Sequence, residues 1–533
     1  MPAMTGTAQP ERAFVLGLDG VPWDRLRAWA DAGELPNVAA LIEEGTAGEL
    51  ESTKPANTAL AWPSIATGVS PDKHGIYAFH GLRADYHHRM NTSADCDRPA
   101  LWDLLSPAIV ANTPMTYPAS AIDGKMVTGM MTPSREEGFT HPPELAAEIE
   151  REIPDYEIGL SWRDYDGTDA EFAADLDSLV AARTELLHQL MKTDDWRLFF
   201  FTYTAPDRLQ HLLWDESVLL DHYRQLDAVI GDAREYAAEN DATLFVVSDH
   251  GFGPVSKLVN VNSLLAREGY LAPKDDTATR GTLSQLGVTK DRVLGALERV
   301  GIDEHTIMDR LPHGVIDAVA EQIPGGHGLY DVDYGRTKAF FHGYGNVYVN
   351  DTERFDEGIV PPSEVATVTA ELEALLSDLT DPETGERVLD VYDGEEVFPT
   401  DDDSPDLVVE GHESYHVKGT LADAVFTDPG VHAAEHRPEG VFLADGPDIE
   451  PSSAPTDANV VDVAPTVLHS VGEAVPADVD GRVLDEIFAP DSATAQREVE
   501  TADRAAAGRD SAAAADADFE DVEDRLRGLG YME

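Results

Sequence analysis

Three apolar runs in this chain end in side chains that bind metals. Residues 13–18 (AFVLGL) lead into Asp19, 198–204 (LFFFTYT) into Asp207 and His211, and 243–248 (TLFVVS) into Asp249 and His250. Taken singly, an Asp before Gly is most often a turn or helix-cap residue. An Asp–His pair at i,i+4 is most often a helix-surface pair. A strongly apolar strand that ends in two strong ligands is less ordinary. Three such endings point to one place, because open α/β sheets bind ligands beyond the carboxyl ends of their strands. Asp and His together suit zinc, and manganese is compatible. Five such ligands are too many for one catalytic ion that keeps an open position, and nearly enough for two. Two ions about 4 Å apart clamp the attacking and leaving oxygens of an in-line displacement at phosphorus. The set needs a further ligand, and His432, His436, His412, His416 and His342 are the candidates. His436 is favoured because it directly precedes another apolar run, in HRPEGVFLADGP.

Such chemistry also needs a nucleophile. The segment 52–75 (STKPANTALAWPSIATGVSPDKHG) is rich in hydroxyls and turn residues. A hydroxyl beside a divalent cation loses its proton far more readily than a free one. Ser52, Thr53, Thr58, Ser64, Thr67 and Ser70 all qualify, and residue type alone does not choose among them. The plain alternative is a loop that feeds a helix.

The elements that must position these groups follow from periodicity. Besides the three runs above, 440–445 (GVFLAD) reads as a strand buried on both faces, with weaker strands near 107–111 and 125–131. Helix-like stretches fall at 35–46, 171–192, 217–239 and 363–379. The alternation predicts a doubly wound, mostly parallel α/β sheet with helices on both faces. Residues 1–274 and 336–489 are expected to form this catalytic domain, interrupted by a helical, cap-like insertion over 275–335. A hairpin around Gly343 and Gly345 is expected within 336–350. Residues 490–518, rich in Ala, Asp and Ser, read as a flexible linker, and 519–533 as a short helix that docks back.

Bulk composition bounds the partners. With 38 basic against 101 acidic residues, the 533-residue chain carries a net charge of −63. That charge repels nucleic acid and anionic membrane surfaces, so a nucleic-acid-coating role is excluded. The acid is spread along the whole chain, as in TDDDSPD at 400–406, which suits a salt-saturated cytoplasm. At molar salt the Debye length falls to about 3 Å and self-repulsion is screened. Cys96 is the single cysteine, so no internal disulfide forms. MPAMTGTAQPERAF is not a secretory signal and no apolar stretch spans a membrane, so a cytoplasmic protein acting on a small substrate is expected. The sequence sets no oligomeric state.

In order along the chain, the strand into Asp19, TGVSPDKHGI, PDxxxH, SDHGFG and HxxxGVF before GP resemble the type I phosphodiesterase/nucleotide pyrophosphatase family of the alkaline phosphatase superfamily. The resemblance covers roughly 12–490 and extends to VVDVAPTVLHSVGEAVPADVDGRVL and the final RLRGLGY. In that family the nucleophile lies nine residues before the Thr of a Thr-Gly pair. Here that pair is Thr67–Gly68, which selects Thr58. The resemblance implies one metal site from Asp19, Thr58, Asp249 and His250, and a second from Asp207, His211 and His436. It also implies a substrate contact for His74 in KHGI. The expected activity is phosphodiester or pyrophosphate hydrolysis through a phosphothreonine, with two divalent ions, zinc or manganese. A phosphomonoesterase or phosphomutase on the same site is the nearest alternative, and a non-catalytic binding protein of this fold is another. Sulfatases share the fold, but Cys96 in DCDRPAL lacks their modification motif. One departure is that the turn after Thr58 reads Ala59–Leu60–Ala61 where nucleotide pyrophosphatases carry an Asn, which bears on nucleotide substrates rather than on ester hydrolysis.

Overall fold

The computed structural model describes residues 11–504 apart from 136–137, 161–167, 275–331 and 430–433, together with 519, 522–523 and 525–526. Its centre is an eight-stranded sheet. The strand order is Thr46–Glu51, Glu439–Asp445, Ala242–Val247, Arg12–Leu18, Leu198–Tyr203, Ala108–Ala111, Gly124–Val127 and Thr140–His141. The five strands from Ala242–Val247 to Gly124–Val127 run parallel. Glu439–Asp445 is antiparallel to both its neighbours, and Thr140–His141 to Gly124–Val127. This is the mostly parallel α/β sheet that the sequence predicts.

The sheet is covered on both faces, and the period of two along its strands shows how. Phe14, Leu16 and Leu18, with Phe199, Phe201, Leu244 and Val246, join one core with the helices Trp23–Asp31, Pro36–Glu44, Asp169–Leu190 and Glu216–Glu239. Ala13 and Val15, with Leu198, Phe200, Phe245 and Val247, join the other core with Thr58–Thr67 and Val463–Ser470. Two-sided burial is the reason these strands read as continuous apolar runs.

Gly17 sits where the second core comes closest. A Cβ there would lie 2.3 Å from the Trp62 ring, so only glycine lets the Thr58–Thr67 helix approach the Arg12–Leu18 strand this closely. The same Trp62 donates from Nε1 to Asp19 Oδ2 at 3.2 Å.

The expected hairpin forms. Ala339–His342 pairs antiparallel with Asn346–Val349, and its turn uses Gly343 (φ 65°) and Gly345 (φ 146°). It belongs to a separate antiparallel sheet with Leu407–Gly411 and Leu389–Asp393, which the helix Pro362–Ser377 packs against. The sequence reading assigned this region to the main sheet's domain without resolving a second sheet. Its strands are four or five residues long, too short for a clear alternation.

The cap-like insertion expected over 275–335 lies outside the described residues except at 332–335. The stretch read as a linker is pinned over its described part. Thr494 is buried and donates to Asp448 Oδ2 at 2.7 Å, and Thr501–Ala502 pairs in parallel with Val475–Pro476. Polar anchors hold a segment whose small residues carry no apolar signature. Near the C-terminus, Val522 and Leu526 are buried in the first core, and Arg525 donates to Thr132 O at 2.7 Å. Among the described residues, no helix is long and apolar enough to cross a membrane.

Gly17→Ala should destabilise the fold by about 1–3 kcal/mol, the usual cost of overpacking, because Trp62 must move and release Asp19. Chemical denaturation in potassium chloride, followed by Trp fluorescence, measures it. An unchanged midpoint would show that the helix has slack against the strand.

Candidate metal centre

The three central strands deliver the Asp and His side chains at their ends side by side. Asp19 follows Arg12–Leu18 directly, and its backbone N–H donates to Tyr203 O at 2.9 Å. Asp249 and His250 follow Ala242–Val247. Asp207 and His211 sit one turn apart on the helix Ala205–Leu212, which begins just after Leu198–Tyr203. His436 arrives differently. Its strand Ala434–Arg437 pairs antiparallel with Gly251–Pro254, setting His436 opposite Phe252 and stacking its ring on His250 at 3.7 Å between centroids. Thr58 is the first residue of the helix Thr58–Thr67, whose N-cap Asn57 accepts from Ala59 N at 2.9 Å.

These seven side chains form one buried cluster. Thr58 Oγ1 lies 3.2 Å from His250 Nε2 and 3.4 Å from Asp19 Oδ1. His250 Nε2 is 3.4 Å from Asp249 Oδ2, 3.6 Å from Asp19 Oδ1 and 4.0 Å from Asp207 Oδ1. His436 Nε2 is 3.2 Å from Asp207 Oδ1 and 3.1 Å from His211 Nε2, which is itself 3.3 Å from Asp207 Oδ1. The far nitrogens orient the rings. His250 Nδ1 lies 3.0 Å from Gly251 O, His436 Nδ1 3.1 Å from Ala56 O, and His211 Nδ1 3.5 Å from Glu435 Oε2. For His250 and His436, the carbonyl partners on Nδ1 fix the tautomer in which Nε2 offers its lone pair inward.

The electrostatics are those of a donor set suited to a cation. Burial first, and then the neighbouring carboxylates, push Asp19 and Asp249 well above the usual carboxylate range. Burial also pushes Asp207 up, but the His211 and His436 imidazoles outweigh it and hold this carboxylate well below that range. Burial, followed by the His436 charge, drives His250 well below the usual imidazole value. Asp249 Oδ2 is buried with no hydrogen-bond partner. Asp19, Asp249 and His250 offer ligand atoms within 4.8 Å of one another, as do Asp207, His250 and His436. Converging carboxylate oxygens and imidazole nitrogens, with an orphaned carboxylate oxygen among them, fit divalent cations such as zinc or manganese.

The other sequence candidates fall elsewhere. His412 lies 2.9 Å from Asp390 and is part-exposed, and His416 lies 3.7 Å from Glu435 Oε1. His342 packs against His80 and His88, and His432 lies outside the described residues. His74 is fully buried. Its Nδ1 accepts from Ile76 N at 3.2 Å and its Nε2 meets Ser64 Oγ at 3.1 Å, so its contacts are with protein groups behind the Thr58 helix. Burial holds its pKa at about 3. Sequence reasoning missed Glu435 and Trp62. Glu435 is fully buried beside His211 and accepts from the Tyr344 hydroxyl. A signal for it existed, since an acidic residue directly before the favoured His436 in AEHR is a natural outer partner for a metal-ligating histidine.

A mostly parallel sheet whose strand ends converge on a buried Asp/His cluster beside a helix-terminal hydroxyl suits a metal-dependent phosphoester hydrolase. The model of the type I phosphodiesterase/nucleotide pyrophosphatase family matches residues 13–438, and the chain belongs to that family. Among solved structures, it is similar to murine ectonucleotide pyrophosphatase/phosphodiesterase 5, with TM-score 0.48 and 13% identity over 89% of this chain and 100% of that one. The human counterpart gives TM-score 0.49 and 12% identity over 89% and 99%. An inactive murine variant in complex with AMP gives 0.49 and 12% over 90% and 100%. A comparison with curated proteins found no match.

The raised carboxyls make a stability prediction. Because folding lifts the Asp19 and Asp249 pKa values, their contribution to stability is present below the ordinary carboxylate range, about 3.9, and is lost as pH rises through the lifted values. At neutral pH, chelator-treated Asp249→Asn should therefore be more stable than the chelator-treated parent, by about 1–3 kcal/mol, and the gap should close on acidification. Added zinc should raise the melting temperature of the parent by clearly more than that of the variant. Equal zinc shifts in both would remove Asp249 from the ligand set.

Proposed function

We propose that the chain hydrolyses phosphodiester or pyrophosphate bonds of small substrates with Thr58 as nucleophile. The observation that carries this reading is the position of Thr58 Oγ1, at a helix N-terminus and within 3.4 Å of both His250 Nε2 and Asp19 Oδ1. In this reading Asp19, Thr58, Asp249 and His250 hold one divalent cation, and Asp207, His211 and His436 hold another, zinc being best suited and manganese compatible. Bound cations supply positive charge that favours the Thr58 alkoxide and offsets charge on the phosphoryl and leaving oxygens.

The chain's own groups do the rest. Thr58 gives up its hydroxyl proton to solvent, Oγ1 bonds to phosphorus in line, and the bond to the leaving oxygen breaks. That oxygen takes a proton from solvent. Water then attacks the phosphothreonine, the P–Oγ1 bond breaks, and Thr58 regains its proton as the phosphomonoester leaves. The first turn after Thr58 is Ala59–Leu60–Ala61, buried and without a side-chain donor. The positive end of the helix is then the protein group that faces the phosphoryl oxygens. His74 positions this helix through Ser64 rather than touching substrate. The dispersed acidic surface supports work in a salt-rich cytoplasm.

Thr58→Ala should lower turnover of bis(p-nitrophenyl) phosphate by about a thousandfold or more, as expected on deleting a nucleophile, while metal content by elemental analysis stays unchanged. Acid quench of the parent should trap a phosphate on the peptide that contains Thr58. A variant that keeps most of its activity would sink the assignment. Comparing the parent's rates on bis(p-nitrophenyl) phosphate and p-nitrophenyl phosphate separates diesterase from monoesterase chemistry. Faster monoester turnover would replace the diester reading.

A further inference from the structure

We propose that His80, His88 and His342 form a second metal site, separate from the catalytic cluster, for a zinc-class transition-metal ion that ties two distant segments together. The site shares no residue with the seven described above. His80 and His88 lie on a hairpin in which His80 pairs with Met90 and Leu82 with His88, so the two histidines are diagonal neighbours on one face. His342 ends a strand of the separate antiparallel sheet.

The rings sit close together. Centroids are 4.7 Å apart for His80–His88, 4.9 Å for His80–His342 and 5.1 Å for the stacked His88–His342 pair. One ring nitrogen from each lies within 4.8 Å of the others. His80 Nδ1, His88 Nδ1 and His342 Nε2 are all buried with no hydrogen-bond partner. Aromatic packing alone does not account for that. Phenylalanine would fill the same space without three orphaned nitrogens, and buried polar atoms are otherwise almost always paired. Burial, followed by neighbouring imidazoles (His88 for His80, His87 for His88, His80 and His88 for His342), holds His80 at about 3, His88 at about 4 and His342 well below the usual value, so the rings are neutral and offer lone pairs.

The donor chemistry selects the ion. Three imidazoles without a carboxylate suit zinc, copper or nickel and disfavour calcium and magnesium. Tetrahedral zinc with ligands at 2.0–2.1 Å needs nitrogens about 3.3 Å apart, inside the 4.8 Å within which the three nitrogens lie. A further orphaned oxygen, Asn346 Oδ1, belongs to the residue paired with His342 in the hairpin.

The test uses the full chain, equilibrated with zinc and then desalted. Metal content is measured for the parent, His88→Asn and His342→Gln. Each variant should carry one zinc ion fewer than the parent and keep bis(p-nitrophenyl) phosphate turnover within about twofold. Its melting temperature should also respond less to zinc. Zinc content equal to the parent's in a folded His88→Asn protein would overturn the proposal. His88 is the least buried of the three, so this variant decides the matter even where His342→Gln fails to fold. Metal loss in Asp249→Asn reports on the catalytic centre alone, so the two readings fail separately.

Discussion

Three carboxylates from three neighbouring strands converge on one imidazole. His250 Nε2 lies within 4.0 Å of an oxygen from each of Asp19, Asp207 and Asp249. Like charges this close, out of water, repel strongly, and a fold that builds such a site without a counter-charge loses stability. The site therefore makes sense as half of a pair whose other half is cationic. Most of the architecture can be read as what is needed to hold that half in place. Adjacent strands in a sheet lie about 4.8 Å apart, and the central order Ala242–Val247, Arg12–Leu18, Leu198–Tyr203 puts the three strand ends next to one another. Another order would scatter the carboxylates.

Rigid support keeps the repelling groups from drifting apart. Gly20 N donates to Asp249 Oδ1 at 3.1 Å, Val21 N to Ser248 Oγ at 2.8 Å, and Gln210 Nε2 to Gly20 O at 2.6 Å. These bonds stitch the loops after three strands into one frame. Trp62 adds a fourth element by fixing Asp19 to the helix that carries Thr58. Thr58 and its nearest carboxylate are thus set by the same helix–strand contact, the one that Gly17 makes room for.

The strands and the polar side chains at their ends were legible because both signals are local. Two-sided burial writes a continuous apolar run, and a polar ligand at its end breaks the run abruptly. Asp19, Asp207, His211, Asp249 and His250 could be found that way. His436 was reachable only through the apolar run that follows it, because its place depends on a four-residue pairing with Gly251–Pro254 that leaves no periodic trace. Thr58 was one hydroxyl among six until the family spacing chose it, since a helix N-terminus in a polar loop looks like any other. Trp62 was invisible because its role exists only through partners far away in the chain, and Glu435 left a single trace, its place directly before His436. The antiparallel sheet around Ala339–Val349 was blurred by strands too short to alternate clearly, and the grouping of His342 with His80 and His88 was hidden with it.

The net charge of −63 and the buried cluster obey different physics. An anionic phosphoester approaching the surface meets a repulsion that salt screens within about 3 Å at molar strength. The cluster is not exposed to that screening, because its carboxylates and imidazoles are buried. High salt thus discounts the acid that opposes substrate approach and leaves intact the acid that attracts divalent cations. A surface that looks hostile to the substrate class and a centre built for it are compatible under one condition, an ionic strength that makes burial the difference between charge that counts and charge that does not.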